Sequence, residues 1–160
     1  PQVFDHVPGQ AIEVRAVPPE NDAGAPGAYS QAPALDGSRP GMVFFNLHDT
    51  AEWPRPALDT TMYHEGLPGH QMQMGLGLES QAIPLLRRQI YLSAYGEGWA
   101  LYAEQLADEL GMYEGEPLGR IGYLKGQMFR AGRCIVDTGM HTMGWSRDKA
   151  VATLGDLTGD

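Results

Sequence analysis

Cysteine is almost absent from this 160-residue chain: Cys134 stands alone, which excludes an intramolecular disulfide and a thiolate zinc cage. Any metal bound here must take histidine and carboxylate ligands. Basic residues are also scarce. The 11 Lys and Arg face 20 Asp and Glu, a formal charge of -9 that repels phosphate backbones and anionic lipid surfaces. No nucleic-acid partner is expected. Apolar runs fall far short of the ~20 residues that cross a bilayer, and no basic and apolar leader opens the chain, so no membrane span is expected. What is plentiful is backbone punctuation, with 21 glycines spread along the chain and 12 prolines, ten of them before residue 70. An apolar content of 42% suits a single buried core. Residues 1–160 therefore read as one domain, with strands and a Gly/Pro-rich loop over 1–55 and metal-site helices over 56–160. The chain opens Pro1-Gln2-Val3 and stops at Asp160 soon after a helical pattern begins, and it is read as a piece of a larger, mostly helical protein.

Residues 11–17 alternate in polarity as a strand does, and the Pro, Gly, Ala and Ser stretch that follows to residue 40 reads as one long ordered loop. Met42-Val43-Phe44-Phe45-Asn46-Leu47 is a second strand, bounded by Gly41 and by His48-Asp49. Asp59 or Thr60 is the expected cap of a helix through Glu65, which Pro68-Gly69 must break before a remnant over 71–78. From Leu85 the pattern is helical, with Leu92, Tyr95, Trp99, Tyr102 and Leu106 three or four residues apart and Gly111 at its end. A long helix over 117–142 places Ile121, Leu124, Met128 and Ile135 at core spacing, and Ser146 caps a last helix.

His64-Glu65 on a helix opens the commonest zinc-hydrolase signature, in which one residue binds the metal and its neighbour reaches the bound water. The second histidine of that signature comes four residues later, ~400° around the helix and on nearly the same face. Here that position is Pro68, and the next histidine is His70. In an unbroken helix ~600° of rotation would point His70 away from His64. A break at Pro68-Gly69 can swing it back. Glu97, flanked by Gly96 and Gly98, completes two histidines and a glutamate, a standard catalytic zinc set. Glu104 lies on the same helix face and reads as a solvated carboxylate in preference to a ligand-orienting one. Arg133, Asp137 and His141 stand at four-residue intervals. They form either an oxyanion-stabilising group around His141 and Arg133 or an ordinary ion-pair ladder. Arg130 falls one face over. Tyr29, in the Gly-rich loop, is a candidate donor to a substrate carbonyl.

Longer blocks carry a family resemblance. Pro26-Gly27-Ala28-Tyr29, Asp36-Gly37-Ser38-Arg39-Pro40-Gly41, Tyr63-His64-Glu65-Gly66-Leu67-Pro68-Gly69-His70, Glu97-Gly98-Trp99-Ala100-Leu101-Tyr102-Ala103-Glu104 and Val136-Asp137-Thr138-Gly139-Met140-His141 resemble the bacterial proteins grouped as domain of unknown function 885. Those proteins are several times longer and are grouped with zincin metallopeptidases. The resemblance implies a mainly α, α+β fold in which long helices surround a metal site beside a small sheet or edge strand. Family members often carry a second histidine after the one matching His70, whereas this chain has Gln71, which leaves His70 as the candidate ligand.

The expectation is a zinc peptidase acting on a peptide or small amide, with zinc on His64, His70 and Glu97 and with Glu65, His141, Arg133 and Tyr29 as catalytic candidates. Residues 42–47 would supply the edge strand for substrate, and the remainder of a longer parent chain is the expected partner. A di-iron or manganese carboxylate bundle needs Glu-x-x-His pairs, which the five-residue separation of Glu65 and His70 does not supply. A non-catalytic metal-binding or scaffold domain is the other alternative.

Overall fold

The computed structural model describes residues 3–159. It is mainly helical with one small sheet, an α+β architecture. The sheet comes first. β1 (Ile12–Ala16) lies parallel to β3 (Gly41–Phe45), and β2 (Ala28–Gln31) lies antiparallel to β3 on its other side, in the order β1-β3-β2. The registers run from Ile12 opposite Gly41 to Ala16 opposite Phe45, and from Ala28 opposite Phe45 to Gln31 opposite Met42. The apolar run expected to be an edge strand is thus the central one, and Val43 is fully buried. A run rich in branched and aromatic residues on both faces suits a strand with neighbours on both sides. The edge nearest the helices is β2, which formed inside the segment expected to be loop. Its four residues carry too short an alternation to stand out in sequence.

Six helices follow: α1 (Arg55–Glu65), α2 (His70–Glu79), α3 (Leu85–Gln89), α4 (Ser93–Glu109), α5 (Pro117–Met143) and α6 (Arg147–Thr158). α1 begins at Arg55 after Pro54 rather than at the expected Asp59 or Thr60. Pro56 in the first turn gives up a backbone donor that would have no partner there anyway. The helical stretch expected from Leu85 breaks at extended residues 90–92. Ser146 caps α6 as expected, its hydroxyl accepting from the Lys149 amide, and Gly144 closes α5 at φ 65°.

The core face of α5 is not the apolar stripe. Ile121, Leu124, Met128 and Ile135 are 50%, 51%, 43% and 48% exposed, while Gly119, Gly122, Tyr123, Gly132, Val136 and Gly139 are buried. α5 lies so close to α1 that a Cβ on Gly122 would sit 1.8 Å from the Pro56 carbonyl oxygen. Backbone contact at that distance admits only glycine, so the large side chains turn outward. α4 repeats the arrangement, burying Gly96, Ala100, Ala103 and Ala107 while Tyr95 and Tyr102 stay exposed. Between these helices Tyr113 stacks on Tyr123 and meets Tyr63 edge-on. The close approach of α1, α4 and α5 places the functional groups that follow. None of the described helices is long and apolar enough to cross a membrane.

Candidate metal centre

α1 ends in His64 and Glu65, both buried, and α2 begins at His70, also buried. Between them the chain passes through Gly66, a cis Leu67-Pro68 peptide and Gly69. Gly69 takes ψ -133°, and a Cβ there would lie 1.9 Å from the His64 carbonyl oxygen. Only glycine lets the chain fold this tightly onto the end of α1. The Trp99 indole N–H donates to the Pro68 carbonyl at 2.9 Å and ties the turn to α4. The broken helix restores what an unbroken one would have denied. The imidazole centroids of His64 and His70 lie 4.9 Å apart with their planes at 88°.

Glu97, in the second turn of α4, closes the group. Its Oε2 is 3.4 Å from His64 Nε2 and its Oε1 is 3.7 Å from His70 Nε2. One ligand atom from each of the three residues lies within 4.8 Å of the others. A tetrahedral zinc with bonds of about 2.0–2.2 Å sets its ligand atoms roughly 3.3–3.6 Å apart, a spacing that the 3.4 Å between His64 Nε2 and Glu97 Oε2 matches. Burial, and then the neighbouring His64, hold the His70 imidazole below its ordinary pKa. It is therefore neutral near pH 7, the form that donates a lone pair to a metal. Burial alone would raise the Glu97 carboxyl. The Tyr91 hydrogen bond and the two imidazoles outweigh it and leave Glu97 below the usual carboxylate range. Beside this cluster Glu65 Oε2 is buried with no hydrogen-bond partner among the described residues. Orphaned buried polar atoms are rare in native proteins and concentrate where a ligand, ion or water belongs. The residues present fit a zinc ion.

Glu104, expected in solvent, is only 1% exposed. Thr60 Oγ1 donates to its Oε2 at 2.7 Å, and Arg130 Nη2 approaches its Oε1 at 3.2 Å. His64 Nδ1 lies 2.7 Å from the same Oε1. With this carboxylate as acceptor, His64 Nδ1 carries the proton, and Nε2 keeps its lone pair toward Glu97. Arg130 also comes within 3.2 Å of His64 Nδ1, but two donors cannot bond each other, so Glu104 is the true partner of both. Glu104→Gln should weaken zinc binding about 10–100-fold, the usual effect of losing a ligand's orienting carboxylate. Competition against a chelator measures it, and an unchanged affinity would remove Glu104 from this role.

Gln71, at the position of the missing second histidine, points the other way. Its side-chain amide donates to the Gln31 and Met42 carbonyls and so bolts α2 to the sheet. Position 71 is therefore a structural bracket, and His70 faces the cluster.

The other candidates are not brought to the cluster. Tyr29 stacks on Phe44 at 4.9 Å, on the sheet face opposite Ser30, whose hydroxyl donates to the Glu65 carbonyl at 2.6 Å. His141 pairs with Asp137 at 3.5 Å, both side chains more than 70% exposed, and the Arg133 guanidinium lies over the Phe129 ring. Of the two readings of that stripe, its visible contacts are those of a surface ladder. Tyr91 carries no signal in the sequence, Thr60 is marked there only as a helix cap, and Arg130 only as falling off the polar stripe. Only the seven-residue step from Glu97 to Glu104 hinted at the buried network.

A family model described as "Bacterial protein of unknown function (DUF885)" matches residues 1–160. Among solved structures, a protein from Colwellia psychrerythraea described as a "putative lipoprotein" superposes with a TM-score of 0.93 at 46% sequence identity, covering 99% of this chain and 27% of its own. This chain thus spans about a quarter of that protein's length. No curated protein matches.

Proposed function

The chain belongs to the bacterial DUF885 family, and from its buried His–Glu cluster we propose that it carries the active site of a zinc-dependent hydrolase cleaving peptide or small amide bonds, in a zincin-like arrangement. The observation that carries this reading is the meeting of His64, His70 and Glu97 next to a buried Glu65 oxygen that has no partner. His64, His70 and Glu97 would hold the ion, and zinc in such a set supplies Lewis acidity to water and to a carbonyl oxygen. The protein's own part is then specific. Glu65 follows His64 directly, is buried, and has an Oε2 with no hydrogen-bond partner, which supports a role for its carboxylate beside the cluster. There it takes the proton of the attacking water and passes it to the departing amine. Glu104 keeps His64 in one tautomer, and Arg130 and Thr60 keep Glu104 in place.

The strand that would receive substrate is β2 rather than β3. Its outer edge carries no further strand among the described residues, and Ser30 ties it to the Glu65 end of α1. An extended peptide adding to this edge would run beside the cluster. The exposed apolar stripe of α5 suits burial against other parts of the longer family members.

The test is reconstitution. Protein stripped by a chelator and reloaded with zinc is expected to cleave a mixed peptide pool, read by mass spectrometry, and the stripped protein is not. Stoichiometric zinc with no cleavage of peptides or small amides would favour a non-catalytic metal-binding domain. Iron or manganese in the purified protein, with no zinc, would overturn the zinc assignment.

A further inference from the structure

Glu97 is the exposed member of the cluster: its side chain is 55% accessible, against 8% for each histidine. An exposed glutamate samples many rotamers, so something must hold it if it is to act as a ligand. Packing does not. The shortest hydrogen bond to its carboxylate among the described residues comes from Tyr91, whose hydroxyl donates to Glu97 Oε1 at 2.6 Å.

Tyr91 reaches this position through a second device. It sits in the extended link between α3 and α4, and its ring crosses the first turns of α4 at Gly96. A Cβ on Gly96 would lie 2.3 Å from the ring carbon Cε2 and 2.4 Å from the hydroxyl oxygen. The ring also stands 6.4 Å from the His70 ring, nearly edge-on. Glycine at position 96 thus opens the space in which the phenol lies, and the next residue is the carboxylate that the phenol engages.

We infer that Tyr91 is a positioning residue for the metal site: seated on Gly96, its hydroxyl occupies Glu97 Oε1 and presents Oε2 to the ion as a single ligand. This assignment rests on the metal-site reading above. With Oε1 engaged by the phenol, the glutamate is held from binding through both oxygens, and a coordination position stays open for water or substrate. Without the hydroxyl, Glu97 is free to rotate into solvent or to take up that position itself.

Tyr91→Phe is the direct test, because it keeps the ring on Gly96 and removes only the donor. Zinc affinity should fall about 10–100-fold by chelator competition, as for loss of other groups that orient a ligand. The visible spectrum of the cobalt(II)-substituted protein should change, since the carboxylate's binding mode alters the coordination number. The melting temperature of the metal-free protein should not move. Gly96→Ala, which displaces the ring, should weaken zinc in the same direction, while Tyr95→Phe should leave affinity and spectrum as they were. If Tyr91→Phe lowers the metal-free melting temperature yet leaves zinc affinity and the cobalt spectrum unchanged, Tyr91 is merely structural and the inference is overturned. If the unsubstituted protein binds neither zinc nor cobalt, the metal-site reading itself fails and takes this one with it.

Discussion

Glu65→Gln is expected to retain a full equivalent of zinc while the hydrolysis rate falls by about 10²–10⁴-fold, the range over which a positioned general base contributes. Glutamine matches glutamate in shape, so the buried site keeps its packing. It has no carboxylate to receive a proton. Glu65 is only 7% exposed, and its Oε2 finds no donor within the protein. A buried carboxylate oxygen without a partner is costly, and a chain that keeps one usually has a use for it. The structural alternative is that Glu65 only supports the turn, since its backbone carbonyl already accepts from Ser30. That contact survives the substitution, so the two roles separate cleanly. Zinc content by elemental analysis beside the rate on a cleaved peptide decides between them. Normal hydrolysis by a zinc-loaded Glu65→Gln protein would end the assignment of Glu65 as base.

His70→Ala should be the more damaging change to metal binding. Four-ligand structural zinc sites bind with apparent free energies of about 10–16 kcal/mol, or roughly 3 kcal/mol for each ligand. Losing one of three protein ligands then weakens zinc by at least about a hundredfold. Circular dichroism of the metal-free variant distinguishes ligand loss from unfolding. The result bears on the part of the site where the sequence pattern is least regular. If zinc affinity is unchanged in His70→Ala, the six-residue spacing from His64 is a coincidence and the ion, if any, is held by other groups.

The His64–Glu65 pair and Glu97 could be read in advance because their signals are local: adjacent residues on one helix, and a carboxylate between two glycines in an otherwise apolar helix. The break at Pro68-Gly69 was also local, since proline ends a helix wherever it falls in the interior. That the break would bring His70 back to His64 was an expectation about direction, and direction depends on how tightly Gly69 packs on the end of α1. Helix ends at Gly111, Gly144 and Ser146 were legible for the same local reason.

Errors arose where contact partners lie far apart in sequence. Glu104 looked solvated because a carboxylate on a helix usually is, and its partners Thr60, His64 and Arg130 come from two other helices. The apolar spacing of α5 pointed to the wrong face, because the hydrophobic pattern cannot show that the α1 backbone approaches closely enough to require Gly122. β3 reads as an edge in sequence because β2, which pairs with its free side, is too short to announce itself. Tyr91 had no periodic signal at all, being outside any helix.

The sequence by itself determined which residue types could bind a metal and that the first helix must break at Pro68-Gly69. These follow from side-chain chemistry and from backbone restrictions that act within a few residues. The tertiary structure alone decided that His64, His70 and Glu97 meet, that Glu104 is buried behind His64, and that Arg130 rather than Arg133 points inward. Each of those outcomes depends on how closely α1, α4 and α5 approach, and that distance is set by glycine and alanine contacts between helices distant in the chain.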